Sequence, residues 1–327
     1  MRADRFDFRR VDFPGRGPLL VFAGLLLIVI ALKQGFSAFD LRSLCVNAAP
    51  LALIALGQFV IVLGRGIDLS LGPIASVCGA VMALTVTDHP LLGIAGPILI
   101  GLAAGLANGL PVARLGLPPI IVTLATMSIW QGMALLVMPD PGGNVPAAYQ
   151  AALTGGFSEP FLGVAGLIVF CLAAGWMLRT RFGLHLRALG GDEASARLSG
   201  VRVAHVKLGA YVVGGLLAAL GGMYLAVATS SGSPTVGDSY ILTSIAAVVI
   251  GGVPLSGGRG SALGVVMGAL ILTITGSLLY FADVSSFYQS IIDGVILLAV
   301  VGSRSTWDWI RDISGRTSWP SRTGRAS

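Results

Sequence analysis

The side chains that carry acid–base, nucleophilic or metal chemistry are sparse in this chain and do not converge. Three cysteines (Cys45, Cys78, Cys171) and three histidines (His89, His185, His205) are scattered over 327 residues. None has a second thiol or imidazole at metal-ligand spacing, so no metal site is expected and the cysteines read as small apolar fillers. No His, Asp and Ser or Cys set of the kind a hydrolase assembles is legible. A G-x-x-x-x-G-K-[ST] phosphate loop is also missing, so the chain is expected to be no enzyme and to hydrolyse no nucleotide. Two carboxylates, Asp68 and Asp293, lie within or beside apolar stretches. An ion-coupled carrier usually buries titratable groups at the midplane, and two acids are thin support for one.

The stretch 179–207 holds the densest polar signals. Asp192 is a good N-cap, Glu193 suits the positive end of a helix, and Arg197 follows Glu193 at i+4 in the favourable order. Gly200 then stops the helix. The spacing predicts a helix of about seven residues, roughly 10 Å long, running from Asp192 through Ala194, Ser195 and Ala196 to Leu198. Gly191 and Gly200 bound it, and Ala194 and Leu198 share an apolar face. Two readings stand: a helix lying on its own bundle, or a knob that docks a soluble partner.

The elements that hold these residues follow from composition. Hydrophobic residues make up 55% of the chain and charged residues only 11%; a soluble protein carries about 25% charge. So little charge excludes disorder, three cysteines cannot supply a disulfide scaffold, and the long, continuous apolar runs exclude a β-barrel. The expected fold is all-α: a polytopic membrane helical bundle of about ten transmembrane segments. The candidates are 18–32, 44–63, 73–87, 91–113, 120–138, 161–178, 208–229, 241–255, 261–280 and 290–302. Three of them (73–87, 241–255 and 290–302) are short and read equally as re-entrant or broken elements. With this count 19 of the 21 basic residues fall on one side, which the positive-inside rule makes cytoplasmic. Both termini are then cytoplasmic, the net charge of +6 belongs to topology, and nucleic acid is not an expected partner. The organisation is a basic tail 1–17, one transmembrane domain 18–302 with the cytoplasmic loop 179–207, and a tail 303–327. No small-x-small cleavage site follows the first span, so it reads as uncleaved. Gly101, Gly105 and Gly109 recur every four residues, as close helix packing requires.

Four ordered stretches resemble the permease subunit of ribose-type carbohydrate ABC importers. They are Gly64-Arg65-Gly66-Ile67-Asp68-Leu69-Ser70-Leu71-Gly72; Pro118-Pro119-Ile120-Ile121-Val122-Thr123-Leu124-Ala125-Thr126-Met127-Ser128; the loop 190–201; and 245–252 followed by Ser256-Gly257-Gly258-Arg259-Gly260. The resemblance runs from about residue 40 to 302. Departures from the family pattern are Arg65 for a glycine, Asp192 for Asn, Ser195 for Ala, Gln131 where Arg is common, and Val253-Pro254 where small polar residues are usual.

The resemblance implies a pore subunit in the bacterial inner membrane that imports a monosaccharide or small polyol. It implies ATP-binding subunits that carry ATP and Mg, a periplasmic or lipid-anchored substrate-binding protein, and a second permease copy or paralogue. It turns Gly191–Gly200 into the coupling element for the ATPase. This chain itself would hold no cofactor. A branched-chain amino acid permease and a self-sufficient secondary carrier are the alternatives.

A sugar path calls for modest uncharged hydrogen-bond partners. Asn47 and Gln58 fall on one face of the second span, and Thr123, Thr126, Met127 and Trp130 form a stripe on the fifth. The threonines read equally as back-bonded to their own helix, and Asn108 as a bridge between helices. Gly64, Gly66, Asp68, Ser70 and Gly72 make a structural turn, with Asp68 either capping the following helix or pairing with Arg65. The segment 146–153 is expected to form a short surface helix facing the binding protein.

Overall fold

The computed structural model describes residues 16–33, 35, 37–154 and 162–281, with 288, 291, 292, 294, 295 and 298. The described residues form twelve α-helices and no strand beyond one isolated bridge. In chain order they are α1 Arg16–Leu32, α2 Ala38–Leu63, α3 Leu71–Thr85, α4 Pro90–Arg114, α5 Pro119–Val137 and α6 Ala147–Thr154. The rest are α7 Leu162–Met177, α8 Arg181–Gly191, α9 Glu193–Leu198, α10 Val203–Thr229, α11 Asp238–Ile250 and α12 Ala262–Phe281. The expected tail 303–327, nearly all of the tail 1–17, and Asp293 lie outside the described residues, as does the expected tenth span 290–302 apart from single positions.

Five helices (α2, α4, α5, α10, α12) are long and apolar enough to cross a bilayer, and α7 with α8 reaches that length as a pair bent by 72°. The helices α3 and α11 have 15 and 13 residues, about 22 and 20 Å, against a hydrocarbon core of about 30 Å. Non-helical backbone precedes each: 64–70 leads into α3 and 230–237 leads into α11. Such backbone is tolerated at depth only where protein buries it.

The centre of the bundle is α2, buried almost throughout, and α10, which packs against α2, α3 and α4. Its glycines allow the approach. A Cβ on Gly215 would strike the Gly101 carbonyl, and one on Gly222 would strike Ala75. The Gly101, Gly105, Gly109 face of α4 lies against Gly215, Tyr211 and Leu208 of α10. With little hydrophobic drive between helices in lipid, this contact area is what associates them. The start of α11 is pinned inside the bundle: Gly237 sits against Gly72, and its N–H donates to Ser76 Oγ at 2.8 Å.

The connections gather at two ends. One end carries the α2–α3 turn, α8 and α9, and the α11–α12 turn. At the other, the segment after α5 is laced to α3 and α10. Asn144 N–H donates to the Ala83 carbonyl at 2.8 Å, Val145 N–H to Ser230 at 3.2 Å, and Gly142 bridges Gly232. The short helix expected over 146–153 is α6, one residue further on.

Candidate functional site

The stretch between α7 and α10 folds as two helices, α8 and α9, one more than the sequence showed. Thr180 caps α8, accepting from Gly183 N–H at 3.5 Å. Gly183, Leu186, Leu189 and Gly190 turn inward while Arg181, Leu184 and Arg187 stay exposed. That i, i+3 rhythm is present in the sequence, inside the stretch expected to be a loop. The second helix, α9, begins as expected. Asp192 accepts from Ser195 N–H at 2.7 Å, and Gly200 ends it at φ +81°. Glu193 holds Lys207 at 2.8 Å and Arg197 at 3.1 Å. The Ser195 amide draws the Asp192 carboxyl below its ordinary range, and the Lys207 ammonium, then Arg197, does so for Glu193.

The two faces of α9 differ. Ala196 is 3% exposed and belongs to the core, whereas Leu198 is 90% exposed and Ala194 is also open. Ala196 therefore anchors the helix to its own bundle and presents nothing outward. The outward apolar face is Ala194 and Leu198.

Arg65 ties this loop to the rest of the same end. Its Nε donates to the Gly190 carbonyl at 3.0 Å and to Ser256 at 3.1 Å, and an Nη donates to Gly191 at 2.8 Å. The backbone there is left-handed, φ +65°, an unfavourable conformation for a side chain with a Cβ. Beneath it Gly258 N–H donates to the Leu63 carbonyl at 3.0 Å, and a Cβ on Gly190 would strike that same carbonyl. The α2–α3 turn, the end of α8 and the α11–α12 turn thus share one joint.

Arg65 leaves Asp68 alone. Asp68 is 1% exposed and accepts from Ser70 N–H at 2.8 Å and Ser70 Oγ at 2.7 Å through one oxygen, and from Asn108 Nδ2 at 2.9 Å through the other. Asn108 also donates to Ser70 Oγ at 2.8 Å, so it bridges α4 to the α3 entry. With its amide oxygen and nitrogen assigned to satisfy both groups, Gln58 donates to the Asp68 carbonyl at 2.8 Å and accepts from the Asp68 N–H at 3.2 Å. Thr123 closes the turn from α5 through the Ile67 carbonyl at 3.3 Å. Gln58, Asp68, Ser70, Asn108 and Thr123 form one buried knot that fixes the non-helical entry to α3. Gly64 and Gly66 flank Arg65 at the start of that turn, and Gly72 ends it against Gly237.

The other candidate path residues lie elsewhere. Asn47 is exposed beside Ser43 and is not brought to Gln58. Thr126 bonds back to the Thr123 carbonyl at 3.3 Å. Met127 and Trp130 are half-buried on the same side of α5. One turn beyond Met127, Gln131 Nε2 donates to Asp238 Oδ1 at 3.1 Å. By sequence Asp238 falls between the expected spans 208–229 and 241–255. Gly237, packed on Gly72 and bonded to Ser76, carries it to the level of α5. A cavity of about 150 Å³ is bounded by Gly79, Gly222, Thr229, Ser231 and Ser233.

Residues 41–301 match the family model described as branched-chain amino acid transport system / permease component. The chain belongs to this permease family. The permease is 36% identical over 306 residues to the ribose import permease protein RbsC of Bacillus subtilis (strain 168), covering 90% of this chain and 94% of that one. RbsC of Escherichia coli (strain K12) is 36% identical over 293 residues, 86% of this chain and 91% of the relative. The L-arabinose transport system permease protein AraH of the same strain is 33% identical over 306 residues, 90% and 92%. No solved structure matches the permease. It is a multi-pass membrane protein.

Proposed function

We propose that this permease is the transmembrane pore subunit of an ABC importer for a monosaccharide or small polyol, driven by ATP hydrolysis on separate subunits that carry ATP and Mg. The observation that carries the reading is α9: a capped helix anchored through Ala196, with Leu198 90% exposed on an apolar face too small to be a core of its own. The names of the relatives, ribose and L-arabinose permeases, support a sugar as cargo over an amino acid. A periplasmic or lipid-anchored binding protein delivers that cargo, and a second permease copy or paralogue completes the pore. The chain crosses the membrane about ten times with both termini cytoplasmic, so that the end bearing α9 and Arg65 faces the ATPase. The α5 side bearing Thr126, Met127 and Trp130 faces the cargo.

The test is co-purification of the ATPase with Leu198→Glu, alongside uptake. Burying a Leu side chain stabilises by about 1.5–3 kcal/mol, so losing it weakens docking by at least about tenfold, and a charge in its place weakens it further. The variant is expected to reach the membrane at normal levels, lose the ATPase and lose uptake. Retention of both at wild-type levels would reject α9 as the coupling element.

A further inference from the structure

The sequence placed no acid beside α5, yet Asp238 lies against it. Gln131 is the thirteenth of the 19 residues of α5, about 18 Å along the helix from its start. Asp238 meets it at that depth because Gly237, one residue earlier, is locked on Gly72 and Ser76. Asp238 is exposed and Gln131 partly so. Among the described residues Asp238 joins no ion pair.

A carboxylate at this depth is too costly to face acyl chains, and intramembrane acids almost always face a water-filled cavity or the interior of a bundle. Its side-chain partner is Gln131; Ser239 beside it is also exposed, Leu242 one turn on is 56% exposed, and Trp130 and Tyr240 pack into the adjoining core. The Gln131 bond uses one carboxylate oxygen and one amide hydrogen. Asp238 Oδ2, the amide oxygen and the second amide hydrogen remain for a ligand. That set matches two neighbouring hydroxyls, one donating to the carboxylate and the other accepting from the amide.

We infer that Asp238 and Gln131 form a hydroxyl-recognising contact on the cargo path, at the unwound entry to α11. The inference rests on the sugar-import reading above. It adds the residues that discriminate between sugars inside the pore, after the binding protein has released its load. Neither residue belongs to the coupling end, so this contact and ATPase docking fail independently.

The experiment uses the whole importer, with its ATPase and binding protein, in proteoliposomes. Uptake of labelled pentoses, hexoses and polyols is measured at saturating loaded binding protein. Asp238→Ala should lower maximal uptake at least about fivefold and change the ratio between the two best-carried cargoes, with the ATPase still co-purifying. Gln131→Ala should do the same more weakly, and the double variant should be worse than Asp238→Ala, because each group meets its own hydroxyl. Asp238→Asn, which keeps an acceptor of the same shape, should recover most of the rate. Unchanged rate and ratio in Asp238→Ala would overturn the contact alone. Separation of the two permease chains by that variant would reassign Asp238 to the subunit boundary and also overturn it. A wild-type complex that carries no sugar or polyol would overturn the import reading and the contact with it.

Discussion

Asp192 and Glu193 hold the start of α9 by charge, and their protonation sets a pH limit on the loop. Both carboxyls are depressed in the folded chain, Asp192 by the Ser195 amide and Glu193 by Lys207 and Arg197. A group whose folded pKa is depressed contributes its stabilisation in full above the unfolded value, about 3.9 for Asp and 4.3 for Glu. The contribution is lost as pH falls through the lower folded values. Amide exchange across 192–200 is therefore expected to stay constant from neutral pH down to about 5 after correction for intrinsic rates, and protection to fall below about 4. Glu193→Gln should remove the Glu193 part of that dependence and leave the Asp192 part. The cap, the i+4 pair and the stop at Gly200 were all readable because each joins residues within four positions of one another. Lys207 as a second partner of Glu193, and the inward turn of Ala196, were not, because both depend on where α10 sits.

Arg65 gathers three segments through one guanidinium, and its planar fork suits carbonyls that lie apart in a way an ammonium does not. Arg65→Gly removes the three bonds and at the same time relieves the left-handed backbone, since glycine adopts positive φ without a Cβ penalty. The joint should loosen without new strain. Uptake is expected to drop several-fold with the ATPase still bound, so that more ATP is hydrolysed per sugar moved. Arg65→Lys should restore only part of the ratio. Equal losses in uptake and hydrolysis would point to plain destabilisation. The same contrast between near and far applies to the helices. Their positions follow from apolar run length, and α1 to α5, α7 and α10 to α12 lie within a few residues of the expected spans. The missed helix, α8, is short and amphipathic. Its apolar face is set by what it covers, Leu63 and the α11–α12 turn, rather than by any lipid-length run.

For the bundle as a whole, two sets of connections lie at opposite ends, and Arg65, Arg114, Arg187 and Arg259 all belong to the end that carries α9. Reporter fusions within 139–160 and after residue 302 should report opposite sides of the membrane, with the second in the cytoplasm. Both on one side would reject the ten-span arrangement. The apolar runs, the basic asymmetry and the four ordered motifs were enough to read a helical membrane permease from the chain alone. Those properties are local or additive, since a residue's hydrophobicity, charge and capping chemistry do not depend on its distant neighbours. Which helices touch is another matter. Arg65 meets Gly190 and Ser256 across 125 and 191 positions, and Gln131 meets Asp238 across 107. An apolar helix looks much the same on every side, so its pattern does not name its neighbour. The neighbour is chosen by close glycine contacts such as Gly101 on Gly215 and Gly72 on Gly237, and the second of these, with the Gly237–Ser76 bond, brings Asp238 to the side of α5.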